Sequence, residues 1–304
     1  MTRVNIEAHW HSLADQVTVA TTLFGRHVGE QLVSEWLDTQ LGFVGDADFA
    51  AGFSNHITLP GIAPLDYAHR HLRTPCGDLV GGIRFYGRDT ARPFVDVLAH
   101  SFTDLAALAE AVVAEWSPFR VSFLRLRHRP GLMNGNNVIR DQTIHAARYN
   151  QLTSPDGRVC LVPLPDYTSA IALVAARYAD LAAAHPDLAR NIAAQDAEEI
   201  EDLHRSGRLR GIEVGGTIVG LLAVGDGEVG WITGDEIKEE VIFTEHIGHG
   251  YAASAQAAWA ADVADDPSRL LIGTIDRHNH SSRRTAERAG RPAVLEDVFV
   301  RLQR

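Results

Sequence analysis

Lysine is nearly missing from this chain of 304 residues: Lys238 stands alone among 28 basic side chains. The remaining basic residues are arginines, a bias that carries no functional weight. Only two cysteines occur, Cys76 and Cys160, which make neither a disulfide framework nor a four-ligand metal site. The histidine pairs His9–His11 and His69–His71 lack third and fourth ligands, so no metal is expected. No apolar run reaches transmembrane length, and neither a leader-like pattern nor a lipidation signal is present. A soluble cytoplasmic protein without a membrane partner is the expectation. An excess of positive charge is lacking too, since the formal net charge is −11. Nucleic acid is thereby disfavoured as a partner, because non-specific binding depends on neutralising phosphates.

What is present suits two α/β domains. The chain is 45% hydrophobic, enough for a sizeable core. Residues 1–150 hold 13 Arg against 15 Asp and Glu, a balance of −2, whereas residues 151–304 hold 15 basic residues against 24 acidic ones, a balance of −9. An acidic second half favours a cationic substrate such as an amine. The loop signals NGNN (Asn134–Asn137) and TSPDG (Thr153–Gly157) put the domain boundary at 152/153, ahead of a strand RVCLVPL (Arg158–Leu164).

The two halves share an order of elements. In the first, helices EAHWHSLADQVTVATTLF and EQLVSEWLDTQLG precede strands DLVGGIRFYG and RPFVDVLAHS; a helix TDLAALAEAVVAEW capped by Thr103 and a strand RVSFLRLR follow. In the second, a helical stretch split by Pro186 precedes a hairpin around Gly215-Gly216, then a strand EEVIFT, a helix GYAASAQAAWAADV and a strand RLLIGTID. The junction between strand and helix differs. The first half has HSFTDL there, and the second has Ile247-Gly248-His249-Gly250-Tyr251-Ala252. Glycines let a backbone approach an anion closely, and a helix N-terminus offers unpaired N–H groups with partial positive charge. The turn is neither a Walker loop nor a dinucleotide fingerprint, and an ordinary strand-to-helix turn would also fit it.

About thirty residues further stands NHSSRRTAERAGR (Asn279–Arg291), directly after the strand RLLIGTID. Together, in this order and spacing, the two motifs resemble the GNAT superfamily of acyl-CoA-dependent N-acyltransferases. The resemblance spans roughly residues 208–302, with helices from Tyr167 onward suiting the family's first two. It implies a GNAT fold in the C-terminal half and, by the shared order of elements, a degenerate GNAT-like first half without a CoA site. The resemblance further implies that backbone N–H groups of Gly248, His249, Gly250, Tyr251 and Ala252 hold the CoA pyrophosphate. Ile242 would meet the pantetheine arm, with Asn279 bonding it and Ser282 near the phosphates. Acetyl-CoA or another acyl-CoA would be the co-substrate, and a small-molecule amine would attack it directly.

Three positions depart from the family pattern. Ile247 stands where Arg or Gln is usual, Ala286 where many members carry a tyrosine acid, and Arg291 where an aromatic residue is usual. For the base, Glu239 and Glu240 point to opposite faces of their strand, and the sequence leaves open which one looks into the cleft. His246 and His249 lie near and are further candidates. Two other functions stay open at this level: acylation of a protein or peptide amine, and a catalytically silent acyl-CoA sensor. Oligomeric state is not legible.

Overall fold

The computed structural model describes residues 9–262 and 266–303, so Glu7 and Ala8 of the first expected helix and Val263 of the glycine-turn helix lie outside the described residues. Along the chain come helices α1 (Ala14–Phe24), α2 (Arg26–Gly42) and α3 (Ala47–Ser54), then strands β1 (Arg70–Thr74), β2 (Gly77–Phe85) and β3 (Pro93–His100). Helix α4 (Leu105–Glu115) leads to β4 (Phe123–His128), β5 (Val138–Arg148) and β6 (Cys160–Pro163). Helices α5 (Tyr167–Ala184), α6 (Pro186–Ala189) and α7 (Ala197–Arg205) follow, then β7 (Leu209–Val214), β8 (Thr217–Val229) and β9 (Ile232–Ile242). The last elements are α8 (Tyr251–Asp262), β10 (Leu270–Asp276), α9 (His280–Arg288) and β11 (Ala293–Arg301). The α/β expectation is met in both halves.

The compact units do not follow a single cut. One comprises Met1–Gln142 with Leu295–Arg304, and the other Thr143–Val294. The boundary expected at 152/153 thus falls inside the second unit, because the stretch between the two loop signals is not a linker but strand β5. Its charged residues hide the strand pattern. In the first unit Arg140 Nε donates to Glu296 Oε2 at 2.8 Å, and Asp141 accepts from Arg125 at 3.2 Å.

In the first unit β1, β2 and β3 form an antiparallel run, β3 and β4 pair parallel, and β11 lies antiparallel to β4. The core gathers Leu79, Ile83, Val95, Leu108, Trp116, Leu124 and Val298. Helix α4 is capped by Asp104, whose side chain accepts from Ala106 N, and not by Thr103. Asp297 stands directly opposite Arg127 in the β4–β11 register and takes a two-pronged bond from it at 2.7 and 3.0 Å.

In the second unit β6, β7, β8 and β9 are antiparallel neighbours, and β10 lies parallel to β9. Gly215 and Gly216 both have positive φ, 58° and 83°, as a tight two-residue hairpin turn requires. Asp166 and Asp196 cap α5 and α7 by accepting from Ser169 N and Glu199 N. One face of the sheet packs α5 and α7 through Val174, Ile200, Leu203, Leu221 and Val241. The other packs α8 through Ala255, Trp259, Ile212, Val224 and Leu271. Helix α8 is buried without interruption from Ala253 to Ala260. Its alanines explain this, since a helix of small side chains can be enclosed on all sides.

The Arg127–Asp297 pair fastens the chain's last strand into the first unit. Asp297 is 1% exposed and Arg127 is half-buried, so Asp297→Ala leaves a guanidinium largely withdrawn from water without its carboxylate. Breaking such a pair costs about 3–5 kcal/mol. Thermal unfolding of Asp297→Ala should show a clearly lowered midpoint for the first unit, and an unchanged midpoint would contradict the pairing.

Candidate functional site

The site begins with a ladder that stops early. Parallel pairing of β9 with β10 covers only Asp235 with Leu271 and Glu236 with Ile272. Both strands run on, to Ile242 and Asp276. Beyond Glu236 and Ile272 they part into a fork whose inner backbone edges have no ladder to share. Unshared backbone N–H and C=O groups need other partners, and an extended ligand bearing amides can supply them. On its other edge β9 carries a bulge: Ala223 pairs with Glu239 and Val224 with Ile237, so Lys238 is the extra residue.

Past the bulge the two glutamates diverge as expected. Glu239 faces α5, where its Oε1 accepts from Gln195 N at 2.8 Å and its Oε2 from the Tyr178 hydroxyl at 3.4 Å. It is 5% exposed, and burial pushes its carboxyl up to about 7. Glu240 faces α8, with both oxygens held by Gln256 Nε2 at 3.0 and 3.1 Å. Burial pushes it up to about 7 as well. The connection between α6 and α7 touches both arms of the fork on the α5 side. Gln195 N reaches Glu239 on β9, and Asn191 Nδ2 reaches Asp276 on β10 at 2.9 Å. Glu239 is therefore buried and bonded beside the α6–α7 connection, and the half-buried Glu240 is bonded to α8 through Gln256.

At the open end β9 passes through a single turn, Thr244–His246, into the glycine segment. Gly248 and Gly250 have φ of +91° and +80°, conformations that disfavour any side chain. Nothing lies within 4 Å of the place a Gly248 Cβ would take, so the loop fronts open space. The first intrahelical bond of α8 runs from Ser254 N to Gly250 O, which leaves the N–H groups of Tyr251, Ala252 and Ala253 without helical partners. Ile247 is 51% exposed. The His249 ring stacks on Tyr251 at 5.4 Å between centroids, and among the described residues neither His246 nor His249 hydrogen-bonds to the glutamates.

A cation not singled out from sequence stands at this loop. Arg158 Nη1 donates to His249 O and Nη2 to Ser254 Oγ, both at 2.9 Å, and Nε donates to Asp156 Oδ2 at 2.7 Å. Bonds from the Arg158 backbone N–H and side chain hold Asp156 down at about 2. Arg158 thus brings to the glycine loop the positive side chain that Ile247 does not. The signal was present as an arginine just ahead of strand β6, but nothing in its neighbourhood linked it to a loop ninety residues away.

On the other arm, Asn279 caps α9: its Oδ1 accepts from Ser282 N and from Ser281 Oγ, both at 3.1 Å. Its Nδ2 has no recorded acceptor among the described residues. Ser282 is half-buried in the first turn of that helix, while Ala286 is fully buried in the core. Ile242 packs on the α8 side, and its neighbour Gly220 has no room for a Cβ, which would sit 2.2 Å from Val241 O.

The first unit has a fork of the same kind, with β3 and β4 pairing from Phe94–Phe123 to Asp96–Arg125 and then parting. There the opening is bridged by the chain itself. Ser12 Oγ accepts from His100 N at 2.8 Å, and Asp15 Oδ1 accepts from Arg129 Nε at 2.9 Å. A cavity of about 360 Å3 remains between these strands and residues 11–16. Its helix start carries the Asp104 carboxylate and no glycine turn.

No family model matches the chain, and no curated protein does. Among solved structures it is similar to a GNAT-family acetyltransferase from Colwellia psychrerythraea at 10% identity, covering 90% of this chain and 97% of that one with a TM-score of 0.46. A GCN5-related N-acetyltransferase from Sphaerobacter thermophilus aligns at 12% identity over 99% and 94%, TM-score 0.44. A tandem GNAT protein from the clavulanic acid biosynthesis pathway aligns at 14% identity over 90% and 96%, TM-score 0.40.

The raised carboxyl of Glu239 has a consequence for stability. Its folded value of about 7 lies above the ordinary value of 4.5, so the folded protein holds this proton more tightly than the unfolded chain. Stability is therefore lost as pH rises from about 4.5 through 7. Glu239→Gln removes the ionisation and should stabilise the second unit above pH 7, by up to about 3 kcal/mol, while changing little near pH 4. Unfolding midpoints of both proteins across pH test this, and parallel curves would refute it.

Proposed function

We propose that the second unit is an acyl-CoA-dependent N-acyltransferase that acylates the amine of a small molecule. The observation that carries this reading is the joining, on one strand, of a fork with unshared backbone edges to a left-handed glycine loop opening α8. An extended chain with amides suits the first, and a pyrophosphate suits the second. The loop fits the anion in a testable way: space is open before Gly248, the N–H groups of Tyr251–Ala253 are unclaimed by the helix, and Arg158 adds charge. Gly248, His249, Gly250, Tyr251 and Ala252 would hold the phosphates, Ile242 and its neighbours the pantetheine arm, and Asn279 Nδ2 and Ser282 would close the site from α9. When bound, acyl-CoA supplies an acyl group activated as a thioester.

The chain's own residues handle the proton. An alkylamine is almost wholly protonated near neutrality, and only its neutral form attacks a carbonyl carbon. Glu239 stands beside the fork with a carboxyl at about 7, matched to accepting that proton at working pH. The ammonium gives one proton to Glu239, the neutral nitrogen bonds the acyl carbon as the carbon–sulfur bond breaks, and a second nitrogen-bound proton leaves with the sulfur as the free thiol. Tyr178 and Gln195 N hold the carboxylate oriented. Glu240, bound to Gln256, is a packing group. The first unit serves as a degenerate copy whose fork is occupied by its own residues 11–16.

A second reading, a silent acyl-CoA binder, draws on one observation: Ala286 is fully buried where an acid for the leaving sulfur would stand. Thiol release from acetyl-CoA against a panel of small amines, in a cytoplasm-like buffer, separates the two. Turnover is expected. Glu239→Gln should lower it by about 10²–10⁴-fold at neutral pH, less at high pH, and without loss of CoA affinity. Glu240→Gln should leave the pH profile in place. CoA binding with no turnover on any small amine or on peptide amines would favour the silent binder. Full activity of Glu239→Gln across pH would remove it as the base.

A further inference from the structure

Each arm of the first unit's fork ends in a histidine: His100 is the last residue of β3 and His128 the last of β4. Both line the cavity of about 360 Å3 left there, and all of its lining residues belong to the first unit. His128 is 7% exposed. Its Nδ1 lies 2.7 Å from Arg129 O, and a carbonyl only accepts, so Nδ1 carries the ring proton. In the uncharged ring Nε2 is then a bare acceptor, and it is buried without a hydrogen-bond partner among the described residues. His100 Nδ1 is likewise unbonded, although a Phe102 backbone group acts on the same ring. Burial lowers His100 to about 4 and keeps it uncharged at neutral pH. The two fixed charges on the wall are already engaged, Asp15 by Arg129 and Arg127 by Asp297.

A cavity of this size takes a small molecule rather than a single water. Val97, Leu98, Leu126, Leu132 and Met133 make much of the remaining wall apolar, and Leu132, 55% exposed, brings that wall out to solvent. An apolar wall favours an apolar body, an unmet acceptor calls for a donor, and paired charges give an ion nothing to hold. We infer that this cavity is a second ligand site, taking a small uncharged molecule with an apolar body and one hydroxyl, of the phenol kind, whose O–H donates to His128 Nε2. Acyl-CoA is not its ligand, since the following helix start carries the Asp104 carboxylate in place of a glycine turn. The site stands independently of the acyl-CoA reading of the second unit.

Calorimetric titration of the full chain with para-ethylphenol, ethylbenzene and para-ethylbenzoate tests this. The three share one body and carry a hydroxyl, nothing or a charge. The phenol should bind about tenfold more tightly than either of the others. His128→Asn keeps an N–H for the Arg129 carbonyl and removes the Nε2 acceptor, so it should bring the phenol down to the level of ethylbenzene. Hydrogen exchange places the site. The phenol should slow exchange at the ends of β3 and β4, from Leu98 to His100 and from Leu126 to His128, and leave the glycine loop unchanged. No binding of the phenol at millimolar concentration, equal affinity for it and ethylbenzene, or protection confined to the second unit would each overturn the inference, whether or not His128→Asn folds. So would a hydroxyl preference that survives the substitution.

Discussion

The apex of the second unit's fork is fixed by one carboxylate. Asp235 is the first of the two β9 residues that pair with β10, and it is 3% exposed. Its Oδ2 accepts from the Tyr149 hydroxyl at 2.5 Å, and its Oδ1 meets Arg208 at 3.1 Å and Arg269 at 2.7 Å. Trp259 of α8 donates to the same tyrosine oxygen at 3.0 Å. The strand that must stay paired, the residue before the strand that must leave it, and the helix behind them are thus tied to one group. With the apex held, the bulge at Lys238 and the glycines at 248 and 250 can direct the free part of β9 outward. A fork held this way keeps its geometry without needing a ladder beyond two pairs.

The acids in this unit are sorted by what surrounds them. Asp156 and Asp235 are ringed by donors and cations. The buried Glu239 and the half-buried Glu240 accept a few hydrogen bonds but have no bonded cation, and desolvation raises both to about 7. Two neighbouring residues of one strand reach the same value for different settings. Glu239 shares its recess with Tyr178 and a loop that crosses the fork. Glu240 is bound by a helix side chain in the core. Chemistry needs the first setting, since a base must have somewhere to receive its proton from.

Much of the architecture was legible in the residues because local rules and tertiary packing agree there. The Gly215-Gly216 hairpin, the break at Pro186 and the glycine turn before an alanine-rich helix each follow from backbone preferences. The alternation of Glu239 and Glu240 between faces also held, although the bulge at Lys238 resets the alternation just before them. What escaped was non-local. Arg140 and Asp141 hide strand β5 in the sequence, and Glu296 and Arg125, distant along the chain, make those charges acceptable inside a sheet. The place of β11 in the first unit depends on Arg127 facing Asp297, which no spacing reveals. Arg158 is likewise silent in the sequence, where it is one arginine among many. A cap was misplaced by one residue, with Asp104 and not Thr103 meeting the helix, since both residue types suit that role.

The two forks offer an internal comparison. In one, residues 11–16 cross the opening and a carboxylate caps the following helix; in the other the α6–α7 connection reaches both arms on the α5 side, and the helix start is glycine. Only the second is the proposed CoA site. Amide hydrogen exchange of the full chain, with and without CoA, reads both at once. CoA should slow exchange in β9 from Lys238 to Ile242 and in the loop from Ile247 to Ala252, and leave β3, β4 and the start of α4 unchanged. Protection confined to the first unit's fork, or a glycine loop unaffected by CoA that is shown to bind, would contradict it.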